Sequence, residues 1–573
     1  MLQQRYTEER SAGQLVRRVL SPKNVIVFLA ILIIGYLVLT PAIYLFIATF
    51  FSGGAFTLDA FRRAYGTSGL DSMVLSSIVF TVGATVLALA LGTALAYITV
   101  RTNVPFRSLI VATSLVPLIV PGLLYTIAWV MVASPNVGIA NQIGNALTGG
   151  PWFDIFSMPG MIWVEGTHNV PLVYLFMFVA FRAMDPSLEE SALVNGATRA
   201  TMLRRITIPL MRPALAAAAL VVGVKTLGSF EVPTLLGVPG GIFVFVSRIY
   251  YVMSDFPYDT AAAGALSIGL VVLAILGTWA LNRMQGDGKQ YATVTGKGFR
   301  PAALDLGRWK WPVAIGVLVY FLVTTALPLF VMAYNSLLPH FQAISIRAMS
   351  EFTLQNYVDL FENPIFARSV GNSLLLAVGT ATAIMVLTAV AAWVVVRGRR
   401  RSRKLVDQLT FIPMVFPGLV IGLAVSFVYL RNPLPIAVYG TLLILLIAYM
   451  TNFLPYGMRY AMSSLQQISA ELEESSAVAG ASWWQTWTRI VLPLMFPGLM
   501  AGWIYLLIVA VRELGSSILL YSPGNEVIAV LIFQMYEEGE LVDISALGVV
   551  LVVFLSLIVA LVHKFGSRVG IRL

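Results

Sequence analysis

Long apolar runs recur along this chain, near 25–51, 74–100, 108–133, 158–181, 213–230, 259–282, 312–334, 371–396, 406–430, 436–458, 497–520 and 542–563. Each is about the length a helix needs to cross the hydrocarbon core of a bilayer, roughly 20 residues. The runs predict an all-α integral membrane protein of about twelve transmembrane helices, the fifth short and holding Lys225. Composition agrees: 58% of the 573 residues are hydrophobic and 11% charged, against about 25% charged in soluble domains. A compact fold cannot hide that much apolar surface from water. A soluble enzyme, a disordered scaffold and a free nucleic-acid binder are excluded. The absence of cysteine removes disulfides and thiolate chemistry, and His168, His340 and His563 lie too far apart in sequence to suggest a metal site. The first apolar run follows Lys23 and is too long for a cleavable leader, so it is expected to stay as a span.

An even number of spans returns both termini to one side. Placing the N-terminus inside puts most of the 37 lysines and arginines in cytoplasmic segments and leaves Arg62, Arg63, Arg248, Arg347, Arg368 and Arg431 outside. That distribution follows the positive-inside rule. The run from Arg397 to Lys404 reads the same way, as a stop-transfer cluster rather than a nucleic-acid site. The net charge of +10 is thereby a topological record. Both termini are expected in the cytoplasm.

The chain is internally duplicated. Residues 56–122 match 352–418 at one offset: Phe56-Thr57-Leu58 with Phe352-Thr353-Leu354, Arg101 with Arg397, and Pro117, Pro121 and Gly122 with Pro413, Pro417 and Gly418. Beyond an insertion around 134–157 the offset falls by 12, pairing Pro171 with Pro455, Gly196 with Gly480 and Pro209 with Pro493. Two tandem repeats of six spans must share one orientation, related by an axis along the membrane normal. The expected organisation is a first repeat at 1–285, a cytoplasmic linker at 286–311, and a second repeat at 312–573.

The loops after the fourth span of each repeat, about 183–209 and 467–493, carry the most information. One reads Asp185-Pro186-Ser187-Leu188-Glu189-Glu190-Ser191-Ala192, then Asn195-Gly196-Ala197, then Ile206-Thr207-Ile208-Pro209. The other reads Ser469-Ala470-Glu471-Leu472-Glu473-Glu474-Ser475-Ser476, then Ala479-Gly480-Ala481, then Ile490-Val491-Leu492-Pro493. Asp185 and Ser469 suit N-caps, acidic residues suit the first turn, and glycine ends or bends the helix. Each loop is therefore a capped helix, a turn and a second short helix: an ordered seat for a soluble partner. The first is arginine-rich (Arg199, Arg204, Arg205) and the second carries Trp483, Trp484 and Trp487.

Glu-Ser-Ala or Glu-Ser-Ser, three residues, glycine, nine residues, isoleucine, one residue, an aliphatic and proline resembles the EAA loop of binding-protein-dependent ABC importer permeases. Two such loops in one chain resemble the fused ferric-iron and thiamine permeases. The resemblance implies that Glu189, Glu190, Ala192, Gly196 and Ala197, with Glu473, Glu474, Gly480 and Ala481, couple the permease to two copies of a cytoplasmic ATPase. Those partners would bind ATP and Mg. A substrate-binding protein would deliver solute to the outer face of a bacterial inner membrane. The expected cargo is ferric iron, with thiamine, polyamine or another small solute as alternatives. The chain itself is not expected to be an enzyme or to hold a cofactor or metal. It has no Gly-x4-Gly-Lys-Ser/Thr phosphate loop, and Gly237-Val238-Pro239-Gly240-Gly241 lacks the lysine and reads as an outer turn.

Ionisable residues at membrane depth are functional candidates. Glu165 and His168 in the fourth span, and Lys225, Glu231, Arg512 and Glu513 late in the fifth, are candidates to line or gate the path, with structural pairing as the alternative. Pro121 and Pro417 break the third span of each repeat, and broken backbone is tolerated where it lines a cavity. Acidic residues outnumber basic ones on the expected outer face, which favours a cationic solute or a basic docking protein. The rival from another class is an ion-coupled secondary transporter with two parallel repeats, which gives the matched loops no task.

Overall fold

The computed structural model describes residues 22–66, 69–136, 138–285, 304–342, 344–398, 400–430 and 437–566. The terminal segments expected in the cytoplasm and most of the expected linker lie outside these residues. Among the described residues, ten helices are long and apolar enough to cross a membrane. Two further pairs qualify only jointly, each bent at a short break: Arg107–Leu118 with Gly122–Ala133 at 99°, and Arg400–Val415 with Gly418–Tyr429 at 107°. The architecture is all-α and integral to the membrane, as the apolar runs predict.

The helices that carry the spans and the two loops include α1 (Pro22–Phe50), α2 (Leu70–Arg101), α3 (Gly122–Ala133), α4 (Met158–Ala183), α5 (Ser187–Val194), α6 (Ile208–Leu227), α7 (Thr260–Gln285), α8 (Lys310–Phe321) and α9 (Leu327–Asn335). The chain continues through α10 (Pro364–Arg397), α11 (Gly418–Tyr429), α12 (Leu442–Gln466), α13 (Ala470–Val478), α14 (Leu492–Val511) and α15 (Leu541–Gly566). The bends have a local cause. Pro121 and Pro417 adopt extended backbone, with ψ of 139° and 149°, and a residue preceding proline is pushed out of the helical region. The helix restarts at the following glycine.

The chain forms two compact units. One runs through Met1–Thr57, Pro364–Leu531 and Leu557–Leu573, the other through Leu58–Asn363 and Ile532–Ser556. Each unit therefore contains the leading span of the other sequence repeat. In the first unit α1 lies against α11, where the Tyr36 and Tyr429 hydroxyls bond at 2.8 Å, and Thr451 donates to the Leu37 carbonyl. In the second, α8 and α9 lie against α3: the Tyr125 hydroxyl donates to the Thr324 carbonyl at 2.7 Å.

Within each unit the second span of a repeat packs on its fourth. Ala84, Ala88, Gly92 and Ala96 fall every four residues on α2 and let α4 approach closely. A Cβ on Gly92 would stand 2.7 Å from Val173. In the other repeat the fit is reversed. Position 457, which corresponds to Val173, is glycine, and its Cβ would stand 2.3 Å from Ile384 of α10. Small meets large in both, from opposite sides.

Both fifth spans end before their apolar runs do, at Leu227 and Val511, and the span expected at 436–458 runs from Leu442 to Gln466. The run at 497–520 is helical only to Val511, because its later part is apolar yet irregular: Leu514, Ile518 and Leu520 are buried in turns. Hydropathy reports burial in lipid or protein alike and cannot separate a helix from a buried turn. Arg512, Glu513 and Glu231 thus lie just past the helices to which the apolar runs assigned them, and Lys225 remains within α6.

Candidate functional site

The loop between α4 and α6 is built by local hydrogen bonds. Asp185 Oδ1 accepts the Ser187 N–H at 2.9 Å, so Asp185 caps α5 from one residue earlier than expected, with Pro186 at the N-cap itself. The donors of Ser187 hold the Asp185 carboxyl below the usual carboxylate range. At the other end Ala197 N–H bonds to Ala192 O and Gly196 N–H to Leu193 O, each at 3.0 Å. This is a Schellman ending, and it requires a left-handed residue at Gly196, where φ is +84°. Thr198 then caps a short helix, and a π-turn at Leu203–Thr207 leads into α6.

The loop between α12 and α14 repeats this plan. Ser469 caps α13, Ala481 N–H bonds to Ser476 O at 3.1 Å and Gly480 N–H to Ala477 O at 3.0 Å, with φ of +83° at Gly480. Ser482 and Gln485 form a capping box, and a π-turn follows at Trp487–Val491. Each helix ends in an exposed aliphatic side chain at the same register, Val194 at 87% and Val478 at 90% exposure, with half-exposed Leu188 and Leu472 behind.

The adjacent glutamates of each loop divide. Glu190 and Glu474 are exposed. Glu189 turns inward: its Oε2 accepts Arg101 Nη2 at 2.7 Å and Nε at 3.1 Å, and its Oε1 accepts the Thr207 hydroxyl at 2.6 Å. Glu473 does the same with Arg397 Nε at 2.9 Å and the Trp393 indole N–H at 2.9 Å. Arg101 and Arg397 are the last residues of α2 and α10. An ion pair therefore ties each loop helix to the end of a second span in both repeats. Sequence reading aligned the two arginines but did not connect them to the glutamates. The signal was present, since opposite charges recur at both corresponding positions.

The surroundings of the two loops differ. Beside the first, Leu304 N–H bonds to Arg101 O at 2.8 Å, and Arg199 Nη2 donates to Asp305 O at 2.9 Å, so the chain entering α8 lies on the loop. Beside the second, Trp483 stacks on Trp487 at 5.7 Å and meets Trp393 edge-on, with Lys23 Nζ 4.5 Å from the Trp393 ring centre.

The path candidates form two polar clusters at the breaks. Glu165 is buried and satisfied: Oε1 accepts from Asn169 at 2.8 Å and Oε2 from the Ser229 hydroxyl at 2.8 Å. Lys225 Nζ donates to Asn169 Oδ1 at 2.6 Å. A Cβ on Gly122, just after Pro121, would stand 3.4 Å from His168 Cε1 and 3.8 Å from Glu231 Oε1. In the other repeat a Cβ on Gly418, just after Pro417, would stand 2.8 Å from Glu513 Oε1 and 3.4 Å from Asn452 Nδ2. Asn452 is the counterpart of His168 by the loop offset. Glu231 and Glu513 are not counterparts, being two residues apart in register, yet each reaches the glycine after the break. Arg512 is half-buried directly before Glu513.

Known proteins resemble this chain over nearly its whole length. Residues 384–568 match the family described as the binding-protein-dependent transport system inner membrane component. The ferric transport system permease protein FbpB of Actinobacillus pleuropneumoniae is 25% identical over 92% of this chain and 76% of its own. A probable ABC transporter permease protein of Sinorhizobium fredii is 26% identical over 81% of this chain and 82% of its own. This chain is similar to ABC importer permeases over most of its length.

A putative 2-aminoethylphosphonate transport system permease protein of Salmonella typhimurium is 27% identical, with 97% of its length falling on 46% of this chain. That relative matches about half of this chain, which carries two copies of the repeated sequence. The matched family is described as an inner membrane component of transport systems that use a binding protein, and the described helices of this chain are long and apolar enough for multiple membrane passes.

Proposed function

We propose that this permease imports ferric iron, driven by two copies of a separate ATPase seated on α5 and α13. The ATPases bind ATP and Mg, and their closure moves the two helices, which switch the spans between inward and outward access. A substrate-binding protein docks on the opposite face, and both termini lie on the ATPase side. The observation that carries the coupling role is the twin helix ending: a Schellman glycine, an exposed valine and an inward glutamate tied to the second span, all in matching register. Val194 and Val478 expose apolar surface that gains from burial in a partner's cleft. Glu190 and Glu474 stay outward to meet it, while Glu189 and Glu473 pass the motion to α2 and α10. The cargo assignment is supported by the ferric permease relative spanning most of the chain, and by the acidic excess on the expected outer face.

The test is reconstitution of the complex in proteoliposomes with its ATPase and binding protein. Ferric iron, thiamine and 2-aminoethylphosphonate are compared for uptake and stimulated ATP turnover. Ferric iron is expected to stimulate both. Stimulation by another solute and not by iron refutes the cargo, and uptake without any ATPase refutes the coupling role. Because the chain has no cysteine, single cysteines at Ala197 and Ala481 should crosslink to the ATPase without background.

A further inference from the structure

His168 is the eleventh residue of the 26-residue α4, which places it near the middle of a span. Glu231 approaches the same glycine, and both side chains come within 4 Å of the point where a Gly122 Cβ would lie. Glu231 is half-buried, and its carboxylate makes no hydrogen bond or ion pair among the described residues. Its functional analogue in the other repeat is different. Glu513 Oε1 accepts the Ser516 N–H at 2.9 Å and the Ser516 hydroxyl at 3.0 Å. Three residues after Glu231, as Ser516 is after Glu513, stands Thr234, whose buried hydroxyl makes no hydrogen bond among the described residues. A carboxylate at this depth without a donor is costly unless a cation or a proton joins it.

We propose that Glu231, with His168 beside it, forms a transient cation-binding stop on the translocation path, the point at which the cargo pauses between the two faces. A carboxylate oxygen is the ligand that hard cations take. His168 Nε2 is hydrogen-bonded to Val120 O at 3.2 Å, which fixes the ring at the break in the backbone. Among the described residues no three His, Asp or Glu side chains converge to hold a metal ion. A stop on a path must release what it binds, since conduction needs sites strong enough to enter and weak enough to leave.

The inference rests on the importer reading above, and its test separates the two. The full complex, with iron-loaded binding protein, is compared as wild type, Glu231→Gln and Glu231→Asp for iron uptake and ATP turnover. Glutamine keeps the size and an acceptor oxygen and removes the charge. Uptake by Glu231→Gln is expected to fall at least tenfold with ATP turnover within twofold of wild type, and Glu231→Asp to keep at least a third of uptake. Wild-type uptake in Glu231→Gln overturns the proposal, leaving the residue a neutral neighbour of the helix start. Equal loss in both variants overturns it too, because charge is then not the determinant. Parallel loss of uptake and ATP turnover assigns the residue to coupling and overturns it as well. A wild-type complex that turns over ATP but does not import iron refutes the cargo reading instead.

Discussion

Replacing Arg101 by leucine isolates the ion pair that ties the first loop helix to α2. The Arg101 side chain is 2% exposed and that of Glu189 12%, so water cannot take the place of the guanidinium. Removing one partner of such a pair costs about 3–5 kcal/mol, because the other charge stays buried without its counterion. Glu189 would keep only the Thr207 hydroxyl. The cost falls on the contact that holds α5 to the end of α2, so amide exchange at 189–195 should speed up by about two to four orders of magnitude, at roughly 1.4 kcal/mol per tenfold. In the second loop the side chains are 19% and 17% exposed and the Trp393 indole remains as a donor. Arg397→Leu should therefore cost about 1.5–3 kcal/mol, the range for a charged hydrogen bond. The double variant Arg101→Leu with Glu189→Leu should recover most of the protection, since apolar residues often replace a buried pair at little cost. Hydrogen exchange of the permease in nanodiscs, resolved by peptide, reads all of these. Protection that falls less than tenfold in Arg101→Leu, or a double variant as exposed as the single, refutes the claim that this pair fixes the loop.

Three further outcomes are expected. Gly457→Val should destabilise the α10–α12 contact by about 1–3 kcal/mol through overpacking against Ile384, and Ile384→Ala should relieve it, as thermal denaturation in detergent will show. Arg63 Nε bonds to Asp259 at 2.6 Å and holds that carboxyl below its usual range; both side chains are partly solvated, so the pair contributes about 0.2–1 kcal/mol. That stability is full above the ordinary aspartate pKa of about 3.9 and is lost as pH falls through the depressed value, a dependence that Asp259→Asn should remove from acid denaturation curves. Val194→Asp with Val478→Asp should weaken ATPase binding by about 1.5–3 kcal/mol per side chain, the worth of burying a valine, measured by co-purification and titration; unchanged binding argues that these tips are not the seat.

Apolar run length, proline position and sequence duplication carried the fold in the sequence, because each acts locally or at a fixed offset. The expected break after Pro121 and Pro417 appears because a proline restricts its own neighbour whatever surrounds it. The loop helices were legible for the same reason: caps and Schellman glycines are satisfied within a few residues. What the sequence hid was lateral. Which repeat α1 leans on depends on side chains hundreds of residues away, and an apolar helix surface names no partner. The division between Glu189 and Glu190 was hidden too, since neighbours in sequence face different ways on a helix and only the position of Arg101 decides which turns inward. The end of the fifth span at Val511 was hidden because buried turns and lipid-facing helices are equally apolar.

The contact between α1 and α11 has a consequence for synthesis. Tyr36 and Tyr429, which bond to each other, are 393 residues apart. At about 5–20 residues per second on the ribosome, α1 waits on the order of 20–80 s in the lipid before its lasting neighbour is made. Between Val25 and Phe50 it carries no ionisable side chain except the phenols of Tyr36 and Tyr44, so it can idle there without a buried charge. The segment α8–α9 faces no such delay: α3, its neighbour, has already emerged. One newborn helix must be patient and its twin need not be, and a chaperone or insertase that shelters lone spans should be found on the first and not the second.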